Sequence, residues 1–371
     1  MTITDYLAWA RHMSDDLRHR PDVSDLFNSA VHPALDWLDA DLERAYATDF
    51  ADRLAERAAW GHPRLLDRLA QLYGIPQRER ILTTSGASMA YVVACQALVR
   101  PGDRVIVERP YYQPFVNVPQ ALGADVRFLD RPGDGYGIDL DTLADLLTPG
   151  TALVALTNPH NPSGMIVSDE TLRQVGALAH ARGAYAVVDE VYADLLPGER
   201  RPVALLDDGL ISIGGLSKVY GMGRLRIGWL VAAPEVMTKL RAAHVVFDNS
   251  SSAIIEAMAT VLFDRLPDYR ARAQEIVTVN RPLAEAFLAE MAAVGALAGD
   301  VPTYGCTMFP RVAGVDDTDP LVTELYEQPG VLVVPGRFFG GPGHVRIGFG
   351  RPHEQLQTGL ARLAGALPQL R

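Results

Sequence analysis

The chain has 371 residues, 48% hydrophobic and 21% charged, with 34 Lys and Arg against 45 Asp and Glu and a formal charge of −11. At roughly 100–200 residues per domain this suggests two domains, and a chain this long builds its core without disulfides or structural metal. The acidic balance opposes binding to nucleic acid or anionic membrane, and no apolar run approaches the ~18 residues of a membrane span. The only cysteines, Cys95 and Cys306, are far apart and lack metal-ligand spacing. The first five residues lack the basic and apolar pattern of a secretory signal, so a cytoplasmic compartment is expected.

Residues 1–60 are polar and helix-prone, interrupted at 26–33, where Asn28, Ser29 and Pro33 predict an extended segment. Seven short apolar runs follow, at 81–84, 104–107, 125–129, 152–157, 184–188, 210–213 and 227–232, each with the length and composition of a strand. Helical patterns separate most of them, for instance 88–99 and 168–181, the second opened by Ser168. This alternation predicts an α/β fold with a mostly parallel seven-stranded sheet covered by helices on both faces. From 252 to 295 the pattern is long and helical. Strand-like runs at 307–312, 331–334 and 345–349 and a closing amphipathic helix at 354–367 then predict a smaller α+β C-terminal domain. The turn-rich stretch 247–252 is the expected boundary. The expected division is an N-terminal segment 1–45 that packs on the small domain and on a partner, a large domain 46–250 and a small domain 251–371.

In doubly wound sheets, ligands collect where loops leave the carboxyl ends of the strands. Three successive strands here end in chemically useful runs: Asn158-Pro159-His160-Asn161-Pro162-Ser163-Gly164, Asp189-Glu190-Val191-Tyr192, and Gly214-Gly215-Leu216-Ser217-Lys218. A lysine just after a buried strand is an amine nucleophile if desolvation lowers its pKa, and an ordinary surface lysine otherwise. Asp189 is a buried carboxylate or a helix cap. Thr83-Thr84-Ser85-Gly86-Ala87-Ser88 offers a strand, a glycine turn and a helix start, whose free N–H groups attract anions, although many strand-to-helix turns look alike.

Taken together and in this order, the N-P-x-N-P-[ST]-G block, the D-E-x-Y run, and the S-K pair with Arg226 eight residues on resemble the fold-type I, class I/II aminotransferase family. The resemblance covers about residues 61–346 and implies a pyridoxal 5′-phosphate (PLP) transferase fold with 46–250 as the cofactor-binding domain. It implies that Lys218 holds PLP as an internal aldimine and that Asp189 keeps the pyridine nitrogen protonated. It further implies that Tyr192 and Asn161 bond the cofactor's phenolic oxygen and that Tyr112 stacks on its ring. Gly86, Ala87, Ser88, Ser217 and Arg226 complete the implied cofactor set, Arg226 as the phosphate's charged partner. Lys218, Asp189 and Tyr192 form the implied catalytic group. Arg346, within His344-Val345-Arg346-Ile347-Gly348, is the implied clamp for a substrate α-carboxylate, with Asn161 and Asn28 beside it. No metal is expected.

The implied activity is amino transfer between an α-amino acid and a 2-oxo acid, in a homodimer whose active sites lie at the interface and include residues around 249–252 of the partner. The alternative on the same fold is β- or γ-elimination or replacement, cyclisation or oxidation of an amino acid. A non-catalytic regulator is a third reading, opposed by the acidic charge and by the presence of Lys218, Asp189 and Arg226 together. Three positions depart from the family pattern. Gly215 stands where a phosphate-binding serine is usual, residues 54–60 contain Trp60 but no tyrosine, and Arg224 replaces a small residue. Phe27, Tyr304 and Cys306 are further pocket candidates by position.

Overall fold

The computed structural model describes residues 5–56, 59–133, 135–248 and 251–370. Its centre is one seven-stranded sheet: β1 (Ile81–Thr84), β2 (Arg104–Arg109), β3 (Asp125–Asp130), β4 (Thr151–Thr157), β5 (Tyr185–Asp189), β6 (Leu210–Gly215) and β7 (Gly228–Val231). The strand order is β1-β7-β6-β5-β4-β2-β3. Every pairing from β6 to β3 is parallel, and β7 runs antiparallel to both of its neighbours. All seven expected strands are present, with ends displaced by up to two residues. The last begins at Gly228 rather than Ile227 because Arg226 adopts a left-handed conformation, φ +55°, and turns the chain just before the strand.

Strand side chains alternate between two buried faces, as the two-residue period requires. Val105, Val107, Leu153 and Ala155 pack on one side with the helices Ala87–Leu98 and Pro234–Phe247. Ile106, Val154 and Leu156 pack on the other with Leu172, Val175 and Ala179 of the helix Asp169–Ala181. That helix starts where its sequence predicts, the Ser168 hydroxyl accepting the Thr171 N–H at 3.1 Å.

The C-terminal part contains a three-stranded antiparallel sheet, with Val345–Gly348 between Thr307–Met308 and Val334–Pro335, and the helices Leu266–Ala293 and His353–Ala366. The stretch 247–252 includes Asn249 and Ser250, which lie outside the described residues; the helices Pro234–Phe247 and Ala253–Leu262 flank it. Among the described residues no helix is long and apolar enough to cross a membrane.

The segment after Ser24–Asp25 connects the two regions. Leu26 O accepts from Gly348 N, His32 N donates to Gly350 O, and Val31 N donates to Lys218 O at 2.8 Å. A Cβ on Gly348 would sit 2.0 Å from Asn28 O, so glycine is what lets these backbones meet. The segment thereby brings Ser29 to the end of β6.

Gly228 similarly allows β7 to meet the start of the helix Ala87–Leu98, since a Cβ there would lie 2.4 Å from Ala87 N and from Gly86 C. These are backbone atoms that cannot rotate away. Gly228→Ala is expected to cost about 1–3 kcal/mol, seen as a lower denaturation midpoint, and to weaken PLP binding, because it displaces the helix start itself.

Candidate active site

One pocket, about 360 Å³ of open space, collects Lys218, Asp189, Tyr192, Asn161, Tyr112 and Ser217 together with Ala87 and Ser88. It lies at the carboxyl ends of β4, β5 and β6, where a parallel sheet delivers side chains from successive strands to one edge. A larger cleft of about 610 Å³ runs between Asp194 and Arg270, but there Asp194 already accepts from the Tyr73 and Tyr220 hydroxyls.

Lys218 Nζ donates to Ser29 Oγ at 2.8 Å. Burial pulls its pKa below the ordinary lysine value; the Tyr6 phenol opposes that shift and the Arg346 guanidinium adds to it. Asp189, the last residue of β5, is buried, and desolvation pushes its carboxyl up to about 7. The Val191 N–H, 3.0 Å from Asp189 Oδ1, and the Lys218 charge offset only part of this shift. The Tyr192 hydroxyl is buried with no partner in good hydrogen-bonding geometry, although the Ser29 hydroxyl is near enough to influence it.

Asn161 is positioned from below. Its N–H donates to Thr157 Oγ1 at 2.8 Å, and both the N–H and the hydroxyl of Thr157 donate to Glu108 Oε1 at 2.6 Å. Glu108 in turn pairs with Arg131 at 2.5 Å, both side chains fully buried. Burial raises the Glu108 pKa, and Arg131 counters that effect.

At the helix start, Gly86 takes φ +90°, and a Cβ there would lie 2.4 Å from Arg226 Nη2. Arg226 reaches over this turn to donate to Ser85 O at 2.9 Å, while Asp248 accepts both the N–H and the hydroxyl of Ser85. Gly215 lies behind the turn: a Cβ on it would lie 3.2 Å from Ile227 O and 3.4 Å from the Ala87 Cβ, leaving little room for a side chain.

Arg346 projects from the strand Val345–Gly348 and is 1% exposed. Its Nη2 donates to Tyr6 Oη at 2.8 Å and to Phe27 O at 2.9 Å, and its Nη1 to Asn161 Oδ1 at 3.4 Å. Its Nε is buried without a partner. For Tyr6, burial raises the phenol pKa, but Arg346 and Lys218 together outweigh it and leave the pKa below its ordinary value.

Some expected residues lie elsewhere. Asn28 turns its Oδ1 to the Ala30 N–H at 2.9 Å, an Asx-type turn that serves its own backbone. Trp60 packs between Arg241 and His244, Tyr304 is 38% exposed, and Arg224 is exposed. Cys306 is buried, its Sγ 3.5 Å from Ser29 O and its thiol pushed up to about 12 by desolvation. The tyrosine-free stretch 54–60 includes Arg57 and Ala58, which lie outside the described residues.

Sequence reasoning missed Tyr6, Ser29 and Thr157. Only Thr157, at a strand end directly before the Asn-Pro block, carried a usable signal. Among the described residues no group of side chains could hold a metal ion.

This donor set fits a phosphorylated pyridine aldehyde. Lys218 is the amine for the aldehyde, and Asp189 is a buried carboxyl without an ion pair among the described residues. Tyr192 has an unused hydroxyl, and the helix start at Ala87 and Ser88 lines the pocket with the Arg226 guanidinium close above Gly86.

Comparison with known proteins agrees. The family model described as aminotransferase class I and II matches residues 28–363. Capreomycidine synthase of Streptomyces vinaceus is 35% identical over 291 residues, covering 77% of this chain and 74% of that protein. Among solved structures, a PLP-dependent aminotransferase from Streptococcus suis superimposes with a TM-score of 0.86 at 26% identity over 95% of each chain. The PLP-dependent cyclase OrfR gives 0.81 at 30% identity over 95% of this chain and 96% of its own. With the family pattern matched along most of its length and the fold shared with these enzymes, the chain belongs to the class I and II aminotransferases, PLP-dependent enzymes of fold type I.

Proposed function

We propose that the protein transfers an amino group between an α-amino acid and a 2-oxo acid, with Lys218 as the residue that carries PLP and moves the proton. The observation that carries this reading is the desolvated Lys218 amine sharing one pocket with the buried Asp189. When bound, PLP supplies the electron sink that lets a proton leave the substrate α-carbon.

Lys218 Nζ accepts the proton from the α-carbon and returns it, a role open only to an amine whose charge is suppressed by burial. Asp189 holds a proton at the pyridine nitrogen. Asn161 and Tyr192 would hold the ring oxygen, Tyr112 would pack on the ring, and Ser88, Ser217, Arg226 and the N–H groups after Gly86 would hold the phosphate. Arg346 orients the substrate carboxylate and so limits the substrates to compounds that carry one.

Residues 46–250 serve as the cofactor domain and 251–371 as the smaller domain, with 1–45 spanning the two, in a cytoplasmic homodimer. The exposed Val245, Val246, Phe247 and Ile254 on either side of 249–252 support a subunit contact there.

A second reading is supported by the likeness to capreomycidine synthase and to the cyclase OrfR. In it the same residues break a bond at the substrate's β or γ carbon and a ring closes. The two readings separate on acceptor dependence: amino transfer needs a 2-oxo acid for continued turnover, and ring closure or elimination proceeds without one. Product analysis by mass spectrometry with and without 2-oxo acid is expected to show turnover only with the acceptor; sustained turnover in its absence supports the second reading.

Lys218→Ala is expected to retain PLP through Asp189, Arg226 and the Gly86 turn but to lose ~10³-fold or more in kcat. Bound cofactor after gel filtration and steady-state rates check both halves, and near wild-type turnover contradicts the role given to Lys218.

Asp189 gives a prediction with a definite sign. Its carboxyl is pushed up to about 7 in the folded protein, whereas an unfolded chain loses this proton near pH 3.9. Below about pH 4 both states are protonated and nothing is lost; between about 4 and 7 the cofactor-free fold loses stability as pH rises, by a total on the order of ~4 kcal/mol. Asp189→Asn, which keeps an acceptor for the Val191 N–H, should therefore raise the melting temperature of cofactor-free protein at pH 8 by roughly 3–5 °C and have little effect near pH 4. The same variant should bind PLP more weakly than wild type.

A further inference from the structure

The arginine that would clamp a carboxylate already has most of its hydrogens in use. A guanidinium carries five N–H groups, and a carboxylate is held most strongly by two parallel bonds, either from Nη1 and Nη2 or from Nε and Nη2. Both forks require Nη2. In Arg346 the two Nη2 hydrogens are directed at Tyr6 Oη, 2.8 Å away, and at Phe27 O, 2.9 Å away. Nη1 has one long bond to Asn161 Oδ1 at 3.4 Å, and Nε has no partner although it is buried. The free hydrogens thus lie on Nε and Nη1, which cannot form a fork with each other.

Of the two acceptors on Nη2, Phe27 O is fixed. It is a main-chain oxygen next to Leu26, whose own carbonyl is bonded to Gly348 in the strand that carries Arg346. Tyr6 Oη is at the tip of a side chain on the N-terminal helix Tyr6–Asp16. Its ring rests on Phe338 and Phe339, with centroids 5.6 Å from each, and Arg346 lies 5.4 Å from its centre. The helix start is fastened to the large sheet region through the Tyr6 N–H on Gln113 Oε1 and Asn117 on Asp5.

We infer that Tyr6 is the place-holder for the substrate carboxylate: its phenol oxygen occupies the Arg346 Nη2 hydrogen that a carboxylate oxygen takes, and it yields that hydrogen when the ligand binds. The inference rests on the reading of Arg346 as the carboxylate clamp. Tyr6 satisfies a buried guanidinium while the site is empty, and its bond must be broken before substrate binds, so it sets how tightly a carboxylate is held. A phenol suits this role, because a carboxylate oxygen makes the stronger bond to the same nitrogen.

The test is the affinity of the PLP-loaded protein for propanoate, a carboxylate with no amine to react, measured by calorimetry in wild type, Tyr6→Phe and Arg346→Gln. Tyr6→Phe keeps the ring that packs on Phe338 and Phe339 and removes only the hydroxyl. It is expected to bind propanoate about tenfold more tightly, the effect of releasing one hydrogen bond to a charged group, and to lower KM for an amino acid. Arg346→Gln is expected to abolish propanoate binding. Unchanged or weaker binding in Tyr6→Phe, with Arg346→Gln still losing it, overturns the place-holder role and leaves the clamp intact. Binding that survives Arg346→Gln overturns the clamp and the inference together. If Tyr6→Phe proves unstable, Tyr6→Leu removes the same hydroxyl, and the same tightening is expected of it.

Discussion

Three ionisable side chains, Asp189, Lys218 and Arg346, are withdrawn from bulk water here, and none has a salt-bridge partner among the described residues. Their hydrogen-bond partners are neutral: a backbone N–H for Asp189, the Ser29 hydroxyl for Lys218, and a phenol, a carbonyl and an amide oxygen for Arg346. Isolated buried charge is expensive, and the protein lowers that cost by shifting protonation, upward for Asp189 and downward for Lys218. Arginine has no such escape, which explains why Arg346 has the densest set of acceptors and two aromatic rings beside it. On the proposed reading the ligands supply what the fold withholds: a protonated pyridine nitrogen for Asp189, an aldehyde carbon for Lys218 and a carboxylate for Arg346.

The architecture keeps these groups close without letting them pair. Asp189 and Lys218 follow adjacent parallel strands, β5 and β6, so their backbones are fixed by the sheet and their separation by the loops. Arg346 comes from a different sheet altogether, brought near by the extended segment after Ser24–Asp25, which bonds to Lys218 on one side and to Gly348 and Gly350 on the other. The Glu108–Arg131 pair next door shows the opposite arrangement. It is fully buried, mutually neutralised and bonded to Thr157, so it stiffens the turn that holds Asn161 and has no charge left for a ligand.

The sheet was legible because parallel strands buried on both faces are continuous apolar runs, and the residues after them stand out by contrast. Asp189, Asn161 and Lys218 could be found in this way, since local sequence places each at a strand end. Strand ends were less certain: nothing in the residues around 227 signals that Arg226, a non-glycine, takes φ +55° and delays β7 by one position. The turn at Gly86 was readable as strand, glycine and helix, but the reason for glycine, the guanidinium of Arg226 lying where a Cβ would be, is a contact across 140 residues. Tyr6 was not legible at all. The helical spacing of Tyr6, Trp9, Ala10 and Met13 marks a buried face but not a site, and the partner Arg346 is 340 residues away. Asn28 shows the opposite case: the turn its Oδ1 makes with the Ala30 N–H is a local use of that side chain which sequence does not separate from a site role.

The account depends on Asp189 being a carboxyl that burial keeps protonated until a cationic ring nitrogen arrives. Difference infrared spectroscopy between wild type and Asp189→Asn, at about pH 6 with and without PLP, reads that proton directly. The account predicts a protonated carboxyl band in the cofactor-free protein that disappears when PLP binds. An Asp189 already ionised at that pH without cofactor, or a band indifferent to PLP, would contradict it.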